Sequence, residues 1–139
     1  MLCAACGKLE MFVLEFQGIE IDYCYRCGGV WLDSGELELI GRKAGALRED
    51  LLAALESRKE RQSERRSSRR CPVCRRRMRE VSTESDPPIL VDRCPDEHGL
   101  WFERGELRSV VEASGAEGHN KLAEFFADLG TPASQTNGS

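Results

Sequence analysis

Seven cysteines and one histidine fall into two sets of four: Cys3-x2-Cys6 with Cys24-x2-Cys27, and Cys71-x2-Cys74 with Cys94-x3-His98. Seventeen residues separate the two pairs of the first set and nineteen those of the second. Thiolates and imidazole grouped in fours at such spacings have the arrangement of a structural zinc site, because Zn2+ is borderline-soft and favours a tetrahedron of sulfur and nitrogen donors. The expectation is two Zn2+, one held by four cysteines and one by three cysteines and a histidine. Iron in the four-thiolate set is the alternative metal, with zinc the better prior. A disulfide framework competes with metal, and CPVC at 71–74 echoes a dithiol motif. Seven cysteines would leave one thiol over, however, and no thioredoxin-like βαβ pattern surrounds that motif. Both sets count to four protein ligands, with no position open for water. No GxSxG, P-loop or HExxH occurs. The chain is therefore expected not to be an enzyme.

The second half of each set sits in a repeated phrase, CYRCGGVWLDSGEL at 24–37 and CPDEHGLWFERGEL at 94–107. Cys24 to Trp31 and Cys94 to Trp101 are both seven positions. In that register Gly28 matches His98, and Glu97 takes the place of Cys27. The second copy has moved its last ligand one residue later, where a longer imidazole reaches the same metal. Neutral imidazole adds less negative charge than thiolate, so the second site is nearer neutrality. Its other ring nitrogen calls for a hydrogen-bond partner to fix the tautomer. Each tryptophan is expected to pack over its zinc knuckle and hairpin, with an exposed recognition aromatic as the alternative.

CAACG followed by a short hairpin and CYRCGGVWLDSGELELI resembles the bacterial transcription-factor zinc-finger family, whose ribbon is named for its likeness to that of TFIIB. CPVC…CPDEHGLWFERGEL is similar to a variant of the same family with HG closing the second knuckle. Together the two units cover about two thirds of the chain. The resemblance implies zinc binding and a ribbon fold, and contact with RNA polymerase as one role; likeness of fold alone carries function only weakly.

The elements that must position these ligands are short. Phe12, Leu14 and Phe16 alternate on one strand and Ile19, Ile21 and Tyr23 on the next, with Gln17-Gly18 as the turn. The second unit repeats this with Val81 and Thr83, a turn at Asp86-Pro87-Pro88, then Ile89 and Val91. Asp33 with Glu36, and Glu103 with Glu106, have capping-box spacing at the start of a helix. From Gly35 the helical pattern is expected to run towards Arg69, with Leu37, Ile40, Ala44, Leu47, Leu51 and Ala54 forming a seam of coiled-coil type. That seam packs within the chain or makes a homodimer through 37–54. Leu122, Phe125, Phe126 and Leu129 give a C-terminal helix one apolar face. The expected fold class is small α+β, metal-stabilised: two zinc ribbons, each a β-hairpin plus a following helix, joined by a long helical, basic linker. The expected divisions are 1–41 (ribbon one and the start of its helix), 42–70 (helical linker), 71–115 (ribbon two), 116–130 (amphipathic helix) and 131–139 (disordered tail).

Composition agrees with small, metal-held units. The chain has 139 residues, of which 6% are aromatic and 32% charged, so one large core is not expected. A membrane-spanning apolar run and a signal-peptide pattern are both lacking, which points to a soluble, cytoplasmic protein. Charge is segregated: residues 58–79 hold eleven Lys/Arg and two Glu, a net of +9 within a chain of net −4. Arg65, Arg66, Arg69, Arg70, Arg75, Arg76, Arg77 and Arg79 are the candidate contacts of this strip to nucleic acid, through phosphates. The strip carries no aromatic residue, so base stacking is not expected of it. An acidic protein partner or a solvated linker are the alternatives, and a redox-sensitive zinc switch is a further one.

Overall fold

The structure, a computed structural model, describes residues 1–43, 65–82 and 89–109. They build one antiparallel sheet of seven strands: β1 (Phe12–Phe16), β2 (Ile19–Tyr23), β3 (Val30–Asp33), β4 (Arg65–Arg70), β5 (Arg77–Ser82), β6 (Leu90–Arg93) and β7 (Gly99–Phe102). Their order is β1-β2-β3-β7-β6-β5-β4. Helix α1 (Ser34–Lys43) follows β3, and a helical turn at 106–109 follows β7.

The expected class is corrected here. The described chain is mainly antiparallel sheet with two short helices, and residues 65–70, assigned to a helical linker, are strand β4. A helix there would stack like charges four residues apart, Arg65 on Arg69 and Arg66 on Arg70; the sheet sets arginines opposite one another as well, so what decides for the strand is its pairing with β5. Strand pairing instead alternates Ser67, which is buried, with Ser68, which is exposed. The knuckle after Arg70 folds the chain back, so β4 lies along β5 with Arg66 opposite Arg79 and Arg70 opposite Arg77. Of the expected seam, Ile40 is buried in the core of its own chain; Ala44 to Ala54 lie outside the described residues. The C-terminal helix, the tail, and the turn at 86–88 with Thr83 lie outside them as well.

The first hairpin forms as its alternation requires. β1 and β2 pair from Phe12↔Tyr23 to Phe16↔Ile19. Gln17 (φ 56°) and Gly18 (φ 85°) make the two-residue turn with both φ positive, the twist that matches flanking strands. Val81 faces Val91 in the second hairpin, both buried.

β3 and β7 join the two units. Their ladder runs Val30↔Phe102, Trp31↔Trp101, Leu32↔Leu100 and Asp33↔Gly99. Side-chain alternation sorts the core into two faces. Val30, Leu32, Leu100 and Phe102 point to the helix side, where they meet Ile19, Ile21, Ile40, Val81, Val91 and Leu107. Trp31 and Trp101 point to the other side and join Met11, Met78, Cys3, Cys24, Cys71 and Cys94. Both rings are fully buried. These fourteen side chains and the four buried cysteines make a small core, to which bound metal would add stability.

Candidate metal centres

Each set of four ligands converges. In the first, the donor atoms of Cys3, Cys6, Cys24 and Cys27 all lie within 4.8 Å of one another, and the same holds for Cys71, Cys74, Cys94 and His98. The Cys3–Cys27 and Cys6–Cys24 sulfur separations are 3.6 and 3.9 Å, and Cys74–Cys94 is 3.7 Å. A tetrahedron of thiolates with ordinary Zn–S bonds has edges of about 3.8 Å. His98 turns Nδ1 inward, 3.4 Å from Cys94 Sγ and 3.9 Å from Cys71 Sγ. All seven cysteines are free thiols. Donor number, type and spacing therefore fit two zinc ions, one with four thiolates and one with three thiolates and an imidazole.

Each knuckle is a tight turn that aims amide groups at sulfur. Cys3 Sγ accepts from the amides of Ala5 (3.3 Å) and Cys6 (3.2 Å). Cys71 Sγ accepts from Val73 and Cys94 Sγ from Asp96, both at 3.3 Å. A residue with positive φ closes every knuckle: Gly7 (79°), Gly28 (78°), Arg75 (69°) and Glu97 (64°). The amides of Gly7, Gly28 and Arg75 donate to the carbonyls of Cys3, Cys24 and Cys71, four residues back. In the last knuckle Glu97 donates to Cys94, only three back. This tighter turn is the physical basis of the displaced ligand: the chain closes one residue early and presents the next side chain, His98, to the metal.

The thiols require a cation to ionise together. Burial pushes Cys3 up to about 11 and Cys71 up to about 12, and raises Cys27 further. Cys24 is buried too, yet amides of Cys27 and Arg26 outweigh that and hold it lower. One favoured thiolate among raised neighbours is what a close cluster gives without a dication; zinc would displace the remaining protons.

The tryptophans depart from expectation in where they point. Each is anchored in its own unit, Trp31 Nε1 donating to Asp33 (2.9 Å) and Trp101 Nε1 to Glu103 (3.0 Å). Each ring, however, lies against the other unit's knuckle. A Cβ on Gly29 would come within 2.2 Å of the Trp101 ring, and one on Gly99 would strike the Trp31 ring and the Leu32 carbonyl. The sequence carried the signal as a repeated G-x-W-x-[D/E], Gly29 to Asp33 and Gly99 to Glu103. The units are further tied where Ser34 donates from its amide to the His98 carbonyl (2.9 Å) and from its hydroxyl to the Glu97 carbonyl (2.5 Å). Of the two capping boxes, Glu106 accepts from the Glu103 amide at 2.8 Å, while Glu36 accepts from the Glu20 amide on β2 at 3.0 Å.

The arginines separate into two groups. Arg69 pairs with Glu103 (2.5 Å) and Arg76 with Asp96 (2.8 Å). Arg70, Arg75, Arg77 and Arg79 are exposed, and Arg70 donates to the Arg75 carbonyl at 3.0 Å. Arg65 and Arg66 stand on β4. Residues 65–79 of the strip are thus the outer edge of ribbon two together with its first zinc knuckle.

The transcription-factor zinc-finger family, the ribbon of TFIIB type, matches this chain twice, over residues 2–43 and 70–113. The chain belongs to that family, as two tandem ribbons. No curated protein and no solved structure matches it. Among the described residues no helix is long and apolar enough to cross a membrane.

Proposed function

We propose that the protein is a non-enzymatic, transcription-associated binding module whose zinc ions are structural and whose basic sheet edge receives nucleic acid. The observation that carries this reading is the clustering of Arg70, Arg75 and Arg77. Strand register puts Arg70 opposite Arg77, and Arg75 occupies a left-handed backbone position where the first ribbon uses Gly7. Like charges held side by side destabilise a sheet, and a non-glycine residue at positive φ costs on the order of 1 kcal/mol. A fold that keeps both is arranged for something other than its own stability. Among the described residues, no carboxylate forms an ion pair with these three guanidinium groups. Phosphate oxygens would supply the missing counter-charge.

The contact is to backbone, not to bases, since the exposed aromatics Phe12 and Tyr25 stack on each other in the other ribbon. Labelled DNA and RNA would be titrated into zinc-loaded protein at low and physiological salt, beside an Arg70/Arg75/Arg77→Ala variant. The proposal requires steep salt dependence, with a slope falling by about 0.7–0.9 for each phosphate contact removed. Failure of both nucleic acids to bind at low salt sinks it and leaves an acidic protein, RNA polymerase included, as the partner to seek by pull-down.

A further inference from the structure

The two metal sets stand in separate ribbons, yet their cysteines belong to one core. Cys3 and Cys24 of the first site and Cys71 and Cys94 of the second are buried in the same cluster, with Trp31 and Trp101 between them. We propose that the two zinc sites load as a coupled pair, each ion raising the affinity of the other site, and that the crossed tryptophan rings carry the coupling.

The inference rests on what each ligand-bearing knuckle is packed against. Gly29 follows Cys27 by two residues and receives the Trp101 ring; Gly99 follows His98 directly and receives the Trp31 ring. Each ring is fixed in angle by its own Asp33 or Glu103. The knuckle that supplies Cys24 and Cys27 therefore has one wall made by ribbon two. The knuckle that supplies Cys94 and His98 has one wall made by ribbon one.

The backbone repeats the exchange. His98, a ligand of site two, has its carbonyl held by the Ser34 amide of ribbon one. In the other direction, the Arg104 side chain of ribbon two lies over Gly28, next to the ligand Cys27.

Zinc binding at one site orders that site's knuckle and the strand after it, β3 or β7. The ordered strand then presents its tryptophan to the other knuckle, whose ordering cost falls before its own metal arrives. A ligand that lowers the ordering cost of a second site is positively coupled to it, and the effect must be equal in both directions.

Zinc affinity would be measured on the full-length reduced protein by competition with a chromophoric chelator, with cobalt spectra distinguishing four from three thiolates. Cys74→Ser disables site two and Cys27→Ser disables site one. The intact site in each variant should bind between about five- and 150-fold more weakly than in wild type, by the same factor in both. Trp101→Phe keeps all eight ligands but withdraws the outer ring atoms that touch Gly29. In that background Cys74→Ser should weaken site one by a visibly smaller factor.

An intact site whose affinity stays within twofold of wild type overturns the proposal. So does coupling that persists undiminished in Trp101→Phe, because the rings would then not be its carriers. Unequal factors in the two directions also count against it.

Discussion

Trp31 and Trp101 stand directly opposite one another on the central β3–β7 ladder, and each passes its ring diagonally to the glycine before the other. The centre of the molecule is therefore a crossed pair in which each ribbon's ring reaches the knuckle of the other. Substituting the glycines is the direct way to test this. Gly29→Ala and Gly99→Ala should each destabilise the zinc-loaded protein by roughly 2–4 kcal/mol, because a methyl group would need to displace a fully buried ring or a carbonyl. Gly35, with open space around its missing Cβ and no positive φ, provides the control. Gly35→Ala should be neutral or stabilise by about 0.5–1 kcal/mol, through the entropy of the unfolded chain. Thermal unfolding of the three variants at saturating zinc would rank them.

Arg75 separates stability from binding. At φ 69° it would be relieved by glycine, so Arg75→Gly should raise the unfolding midpoint by a few degrees, about 1 kcal/mol at this size. The same change should weaken nucleic-acid binding, as expected if the strained arginine serves a polyanion. A variant that gains stability and keeps full binding would remove Arg75 from the interface.

The paired arginines should behave otherwise. Arg76→Ala breaks an exposed pair with Asp96 and is expected to leave stability nearly unchanged. Arg69→Ala removes the partner of Glu103, which also accepts from Trp101. It should therefore loosen the central tryptophan and lower thermal stability more than Arg76→Ala does. Tryptophan emission during unfolding would report the difference.

Stability should also fall as pH rises through neutrality, with zinc held saturating. Burial lifts Glu106 from 4.5 to about 8 and Asp92 from 3.8 to about 6. Both carboxyls hold their proton more tightly when folded. Their favourable contribution is complete below the unfolded values and is lost as pH climbs through the folded ones. The decline belongs to the interval from about pH 4 to about pH 8, and the part near neutrality is that of Glu106. Glu106→Gln should flatten the profile between about pH 6.5 and 8.5, whereas Asp92→Asn should act below that. A chemical-denaturation series across pH would check both; an unchanged slope in Glu106→Gln would refute the assignment.

Much of the site was legible because metal chemistry imposes spacing. Cys3-x2-Cys6 and its three counterparts need only local turns, and the one-residue shift to His98 was readable from the alignment on Trp31 and Trp101. The first hairpin was readable too, since Gln17-Gly18 sits between two runs of period two. β3 and β7 were not. Val30-Trp31-Leu32 and Leu100-Trp101-Phe102 are apolar on both faces, so they carry no alternation, and their pairing joins residues seventy positions apart. β4 was misjudged because charge and serine content say nothing of register, which here comes from the knuckle at Cys71 and Cys74. The fully buried Arg93 on β6 had no signal in its local pattern.

The β3–β7 ladder also fixes the order in which the chain can fold. Each hairpin closes loops of a few residues, and each metal set closes about twenty, but the central ladder closes seventy. Loop-closure entropy grows with that separation and delays the contacts that depend on it. The expected order is that the ribbons form first as two half-covered pieces, each with an apolar strand open on its outer edge, and that their mutual capture comes last. During that interval β3 of one chain can pair with β7 of a neighbouring chain, exchanging one ribbon between two molecules. Refolding at high protein concentration should accordingly yield a slowly reverting exchanged dimer that dilute refolding does not.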